Sequence, residues 1–485
     1  MGKYLIVYFK IRRINVYDII IKNGFVVDWH LNIEDMKDIG IKDGKISEIS
    51  DEIEESKGNQ IIDVSNKLVI PGIIDTHVHI IRKDSKAAGY RMLIKAGVTT
   101  AVDMKGPVYR ANEEINKYAY GLKVAVLQGL VPGKDIKKDE KNRDVIKNKI
   151  EEILSQGAFG IKVVGGHYPF TPETTKMIIE ETYKQKAYFA FHVGTSDTGS
   201  NIDGMREAVE LIGELPGHIA HVNSYCRGLI MNELDEAVEA INLLKKFPNI
   251  SSESYLAKIN GTSGKFNKEG KPESLVTRNC LRGFGYSEDK EGITQSIMDK
   301  NAAVYVRVGE EMKLIWGEEA YNLWEKNNSD VYMCFPVNSP KAIFLCATEK
   351  RDNGEFVVDS ISTDGGSIPR NFIIESGLPL VKFGGLNLKE FVKKTSYNPA
   401  KVLGLKNKGS LDVGKDADIT IIDIDKNKAT HTIIDGKISM IDGYLINSPG
   451  KIITQSSGVK HLEEIGVNCI EVDLEESYYW NRTVK

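Results

Sequence analysis

The sequence is poor in cysteine and holds no long apolar run, and each lack removes a class of protein. Five cysteines in 485 residues (Cys226, Cys280, Cys334, Cys346, Cys469) stand far apart. They form neither a disulfide framework nor a cysteine-based zinc module, which points to a reducing, cytoplasmic setting. Nothing approaches the roughly 20 apolar residues of a membrane span, so no membrane partner is expected. Residues 4–9 are apolar but too few for a secretion signal, and a terminal strand is expected there. A dominant charge is missing too. With 64 basic and 68 acidic residues the net charge is −4, which gives no ground for a nucleic-acid partner. What remains, 41% hydrophobic and 27% charged, is an ordinary globular composition.

The chain changes rhythm twice. Residues 1–66 are strand-rich, with Asn23-Gly24 and Asp43-Gly44 as hairpin turn signals. From residue 67 to about 400, short apolar runs alternate with amphipathic stretches. Strands are expected at 69–76, 98–103, 122–128, 159–164, 187–192, 217–222, 250–255 and 356–363. Helices are expected near 84–96, 141–155, 173–186, 203–213 and 232–246. Eight such units with fully apolar strands indicate an α/β fold, the (β/α)₈ TIM barrel. A polar, glycine-rich break at about 257–355 reads as an insertion between strands seven and eight, with helices near 292–300 and 309–327, lying over the barrel mouth. After a last helix near 387–395, residues 401–485 turn β-like and then become an uninformative tail. Neither terminal segment has enough strands for a core of its own, so the two are expected to build one flanking β-sandwich.

Barrel active sites sit at the carboxyl ends of the strands. The first strand ends in His77-Val78-His79, and residues i and i+2 of a strand face the same way. The fourth carries Lys162, the fifth ends in His192, the sixth in His221 and the eighth in Asp364. These are residue types that a divalent metal accepts, apart from lysine. A lysine inside an apolar strand has a lowered pKa, and its neutral amine can add carbon dioxide. The resulting carbamate is anionic and can bridge two cations. The reading is two divalent metal ions, one on His77, His79 and Asp364, the other on His192 and His221, with carbamylated Lys162 between. Zinc suits these ligands, as do iron, manganese, cobalt and nickel. A metal-bridging hydroxide would attack, and Asp364 would take its proton and pass it to the leaving nitrogen. His167 and Tyr168 follow Lys162 and could polarise the scissile carbonyl. Asn223, Arg227 and Arg370 follow ligand-bearing strands, and an arginine there could clamp a substrate carboxylate. Cys226 lacks a base partner and reads as a bystander. The Gly165-Gly166 and Gly365-Gly366 pairs read as tight turns at strand ends.

This set resembles the amidohydrolase superfamily. Residues 71–79 (Pro-Gly-Ile-Ile-Asp-Thr-His-Val-His) match its opening motif, and 398–405 and 409–418 match its closing segment. The resemblance covers nearly the whole chain and implies a barrel with a flanking β-sandwich. It also favours His221 over the nearby His218 as ligand. Among its branches the chain is similar to hydantoinases, dihydroorotases, isoaspartyl dipeptidases and N-acyl-D-amino-acid deacylases. Lys162 suits the lysine-bridged binuclear type, and His221-Val222-Asn223 resembles the isoaspartyl dipeptidase motif. The insertion and Ile368-Pro369-Arg370 resemble the D-aminoacylases, which typically lack the bridging lysine. The expected activity is hydrolysis of a C–N amide bond in a cyclic amide, an N-acyl amino acid or a small dipeptide. A deaminase of a heterocyclic base is the alternative, but such one-metal relatives carry Glu where this chain has Thr195. A non-enzymatic assembly relative would have lost ligands that are all present here. Relatives are often dimers or tetramers, so a homo-oligomer is expected.

Overall fold

The computed structural model describes residues 16–82, 85 and 87–482; residues 4–9 lie outside them. Eight parallel strands form the barrel wall: β1 (Ile73–His79), β2 (Val98–Asp103), β3 (Lys123–Leu130), β4 (Gly160–Val164), β5 (Tyr188–His192), β6 (Gly217–Ile219), β7 (Ile250–Tyr255) and β8 (Ser360–Ser362). They are buried along almost their whole length, as a sheet covered on both faces requires. β8 meets β1 through side chains. Thr363 donates its N–H (3.1 Å) and its hydroxyl (2.5 Å) to Asp75, and the Thr76 and Ser360 hydroxyls bond at 2.9 Å. Gly365–Gly366 then pairs with the end of β1.

Outer helices follow the strands, and their ends show why they start and stop. In Glu233–Lys246, the Asn232 side chain accepts from the Leu234 and Asp235 amides. Three acidic residues occupy the first turn and two lysines the last, matching the helix dipole. A helix at Val108–Tyr118 escaped the sequence reading.

The terminal strands join in one continuous nine-stranded sheet, folded around a core of Ile21, Val26, Ile39, Leu411, Ile419 and Ile433. Asp416, Asp418 and Asp435 gather at its junction with the barrel. Lys45, Lys123, Lys408 and Lys451 bond them at 2.6–2.9 Å, so this acidic trio is an ion network rather than a cation site.

Two expectations are corrected here. The insertion does carry its own structure, a four-stranded sheet and three helices over a core that includes Ile297, Trp324 and Phe335. Its expected helix at 309–327 begins only at Gly317. Glu311–Trp316 is instead a strand, paired with Ala303–Val308 through a turn where Gly309 takes φ +63°. Second, the helix Pro340–Thr348 packs on Glu233–Lys246, so barrel structure resumes well before residue 355, and the eighth strand spans only Ser360–Ser362.

The tail, for which the sequence offered no expectation, packs on the barrel floor. Lys451–Thr454 pairs parallel with the start of β3. Tyr479 is buried and stacks on Tyr188 at 4.2 Å; its hydroxyl accepts from the Phe189 amide at 3.0 Å. Arg482 pairs with buried Asp359. Tyr479→Ala opens a cavity there and should cost about 3–5 kcal/mol. A urea midpoint unchanged from the parent would show that the tail is dispensable.

Candidate metal centre

β1, β4, β5, β6 and β8 all end at one cavity, lined by His79, Lys162, His192, His221 and Asp364 with His167, Tyr168, Arg227, Arg82 and Lys105. His77 stands directly behind. Its Nε2 lies 3.0 Å from Lys162 Nζ and 3.4 Å from Asp364 Oδ1, while His79 Nε2 is 3.0 Å from the same oxygen. The His192 and His221 rings are 4.4 Å apart, and His221 faces His77 at 5.0 Å. The six candidate ligands, drawn from five strand ends, therefore converge.

Burial sets their protonation. It pushes the ring pKa values of His77, His192 and His221 well below the usual range and that of His79 to about 4. Neutral imidazoles are the form a metal takes. Burial also lowers the Lys162 amine to about 8, and its hydrogen-bond partner among the described residues is His77. For Asp364 burial acts upward, but Arg370 and the two imidazoles of β1 outweigh it and hold the carboxyl well below the carboxylate range.

The donor set fits a cation. His77, His221 and Asp364 offer ligand atoms all within 4.8 Å of one another. His221 Nδ1 is buried without a partner among the described residues. An orphaned buried polar atom costs roughly 1–3 kcal/mol, which tight metal binding would offset. Gly166 makes room as well: a Cβ there would stand 2.0 Å from His192 Nε2. This glycine serves both the expected tight turn, closed by the His167 N–H on the Val164 carbonyl at 3.0 Å, and the close approach of His192.

Two expected substrate contacts are corrected. Arg370 is 1% exposed and fully engaged within the protein. It donates to the Asp364 carbonyl (2.8 Å), the Asp364 carboxylate (2.5 Å) and the Ile259 carbonyl (2.9 Å). It positions Asp364, whose φ is +49°. Asn223 is fully buried, and its Oδ1 accepts from the Tyr255 amide at 3.1 Å. It shapes the turn after β6 instead of facing the cavity. Arg227 does line the cavity, held by Asn338 Oδ1 at 2.9 Å. His167 bonds Ser274 of the insertion at 3.0 Å, and burial beside Lys105 and His79 lowers its pKa to about 3. Sequence reasoning missed Arg82, Lys105 and Glu253. A carboxylate inside the otherwise uncharged strand 250–255 was the available signal for Glu253, since charged residues are rarely buried without partners.

Fold and site together define a metal-binding barrel hydrolase. The sequence model of the Amidohydrolase family matches residues 68–244 and 328–439, and the chain belongs to that family, whose members here act on C–N bonds of non-peptide amides. It is 24% identical over 444 residues to a dihydroorotase of Ruminiclostridium cellulolyticum, covering 84% of this chain and 89% of that one. An allantoinase of Bacillus licheniformis is 24% identical over 434 residues, covering 84% and 87%. Among solved structures, the N-acyl-D-glutamate deacylase of Bordetella bronchiseptica, complexed with zinc and a phosphonate inhibitor, superposes with a TM-score of 0.62. The two are 12% identical, with 90% of this chain and 99% of that one covered. No helix among the described residues is long and apolar enough to cross a membrane.

Proposed function

We propose that the chain hydrolyses the amide bond of a small, carboxylate-bearing molecule. The observation that carries this is the convergence of His77, His79, Lys162, His192, His221 and Asp364 on one cavity walled by cations. His77, His79 and Asp364 would hold one divalent metal, zinc by the chemistry of the donors, and His192 and His221 the other, with Lys162 as a carbamate between. Bound there, the pair would supply Lewis acidity and bring the pKa of water towards neutrality.

The chain's own groups do the rest. Asp364, fixed by Arg370, accepts a proton from the attacking water and returns it to the leaving nitrogen. Neutral His167 and the Tyr168 hydroxyl, both on the cavity wall, would donate to the developing oxyanion. Arg82, Lys105 and Arg227 line the cavity, and none of the three forms an ion pair among the described residues. Tyr332 of the insertion lies 4.0 Å beneath the Arg82 guanidinium, and the Tyr305 hydroxyl accepts from it. Burial beside Arg82 lowers Lys105 to about 8. Three cationic side chains on one cavity wall, none of them in an ion pair among the described residues, favour an anionic ligand.

A second cavity of about 180 Å³ shares Arg227 and Val276 with the first and is walled by Leu229, Cys280, Phe284 and Val337. Ser200 and Asn279 also line it, and since a cavity of about 150 Å³ accepts benzene, a phenyl-sized substituent with a polar edge fits. The substrate class is then an amide with a carboxylate and one apolar group. Arg82→Met and Lys105→Met should each raise KM about tenfold or more for carboxylate-bearing amides, and leave neutral amides within twofold. A panel of N-acyl amino acids, hydantoins, dihydropyrimidines and their uncharged amides tests this. An equal rise for neutral amides would remove the cationic wall from recognition, and a panel with no hydrolysed member would remove the activity.

A further inference from the structure

Glu253 sits on β7, a strand that supplies none of the six ligands, and it is wholly buried. No lysine or arginine among the described residues pairs with it. Its hydrogen bonds come instead from three other strand ends, and the buried His218 ring on β6 stands 4.0 Å from Oε1. Oε1 accepts from His77 Nδ1 at 2.6 Å and from the backbone N–H of His221 at 2.5 Å. Oε2 accepts from the Ser362 hydroxyl, two residues before Asp364.

Each contact has a consequence for the site. A carboxylate on Nδ1 fixes the His77 tautomer with its proton there, leaving the Nε2 lone pair to face Lys162 and Asp364. The His221 backbone has φ +36°, a left-handed conformation that is uncommon for a residue with a Cβ. The short bond from its N–H to Glu253 stabilises that turn, and the turn aims the ring. Ser362 ties the same carboxylate to the segment that presents Asp364.

We propose that Glu253 is a positioning residue that couples the two metal positions, holding a ligand of each through a single oxygen atom. The inference rests on the metal-pair reading given above. Its distinguishing claim is that one substitution on β7 weakens both metals together. A residue that merely filled space would weaken neither, and a support of His77 alone would weaken one.

Two mild variants separate these cases. Glu253→Asp keeps the charge but withdraws the oxygen by one methylene, so it cannot reach both partners. Glu253→Gln keeps an acceptor oxygen in place for His77 and His221 and can donate its amide to Ser362. Zinc titration of chelator-treated protein, followed by competition with a chromophoric chelator, gives the affinity of each equivalent. Nitrogen-15 NMR of histidine-labelled, metal-free protein gives the His77 tautomer with no metal present; circular dichroism checks the fold.

Glu253→Asp should weaken both equivalents about 10–100-fold, the scale for a lost partner of a metal-bound histidine, and release the His77 tautomer. Glu253→Gln should keep the tautomer and lose less than tenfold. Wild-type affinity in the folded Asp variant, or loss of one equivalent only, would overturn the coupling. A Gln variant as weak as the Asp variant would overturn the acceptor role. Parent protein that takes up fewer than two equivalents would count against the metal pair itself, while the tautomer measurement still reads the Glu253–His77 bond separately.

Discussion

Asp364→Asn should abolish nearly all turnover while sparing substrate binding. The carboxylate lies 3.0 Å from His79 Nε2 and is gripped by Arg370 through both its side chain and its backbone carbonyl. An amide of the same shape can keep much of that geometry. It cannot take up and return a proton, and proton transfer by a positioned side chain contributes typically 10²–10⁴-fold. A fall in kcat of that order is expected, with KM within a few-fold. Metal content measured on the same sample separates a lost proton shuttle from a lost ligand. A rate within tenfold of the parent, with the metal retained, would take Asp364 out of the reaction.

Lys162→Ala should lower metal occupancy and activity together. Lys162 is 1% exposed and stands between the β1 imidazoles and the rest of the cluster. Unmodified, it would place a positive charge among cations, which like-charge repulsion forbids. Carbamylated, it supplies an anion in the same place. The alanine variant would lose the proposed bridge, so one metal or none should remain, with turnover down by orders of magnitude. The pH dependence of assembly follows from the amine. Its pKa of about 8 lies below that of a free lysine because of burial, so the reactive neutral fraction rises with pH and passes one half at that value. At fixed dissolved carbon dioxide, metal-free protein should therefore reassemble faster at pH 8 than at pH 6.5. Two bound metals and a full rate in the alanine variant would refute the bridge.

Much of this site was legible because barrel geometry converts position along a strand into position in space. His77 and His79 share a face, His192 closes β5, and His221 and Asp364 stand two residues past the ends of β6 and β8, so one rule about strand ends collected these five. The residues that escaped break that rule. Glu253 lies inside β7 and acts from beneath, through hydrogen bonds that sequence spacing does not encode. Arg82 and Lys105 lie in loops, where nothing periodic marks direction. Arg370 was misjudged for a related reason: an arginine near a site can face the substrate or brace a ligand, and only its three internal acceptors decide between them. In the insertion, residues 311–316 alternate like a strand yet run straight into a helix, and the pairing that reveals the strand comes from 303–308. The tail carries little pattern because its anchors, Tyr479 and Arg482, are single side chains that fill the barrel floor.

The most direct test of the whole account is anomalous diffraction from crystals of the purified protein, recorded at the absorption edge of its metal. Two peaks are expected among the six side chains, with density continuing from Lys162 Nζ to touch both. A single peak away from Lys162, or a lysine ending in a bare amine beside two metals, would contradict it.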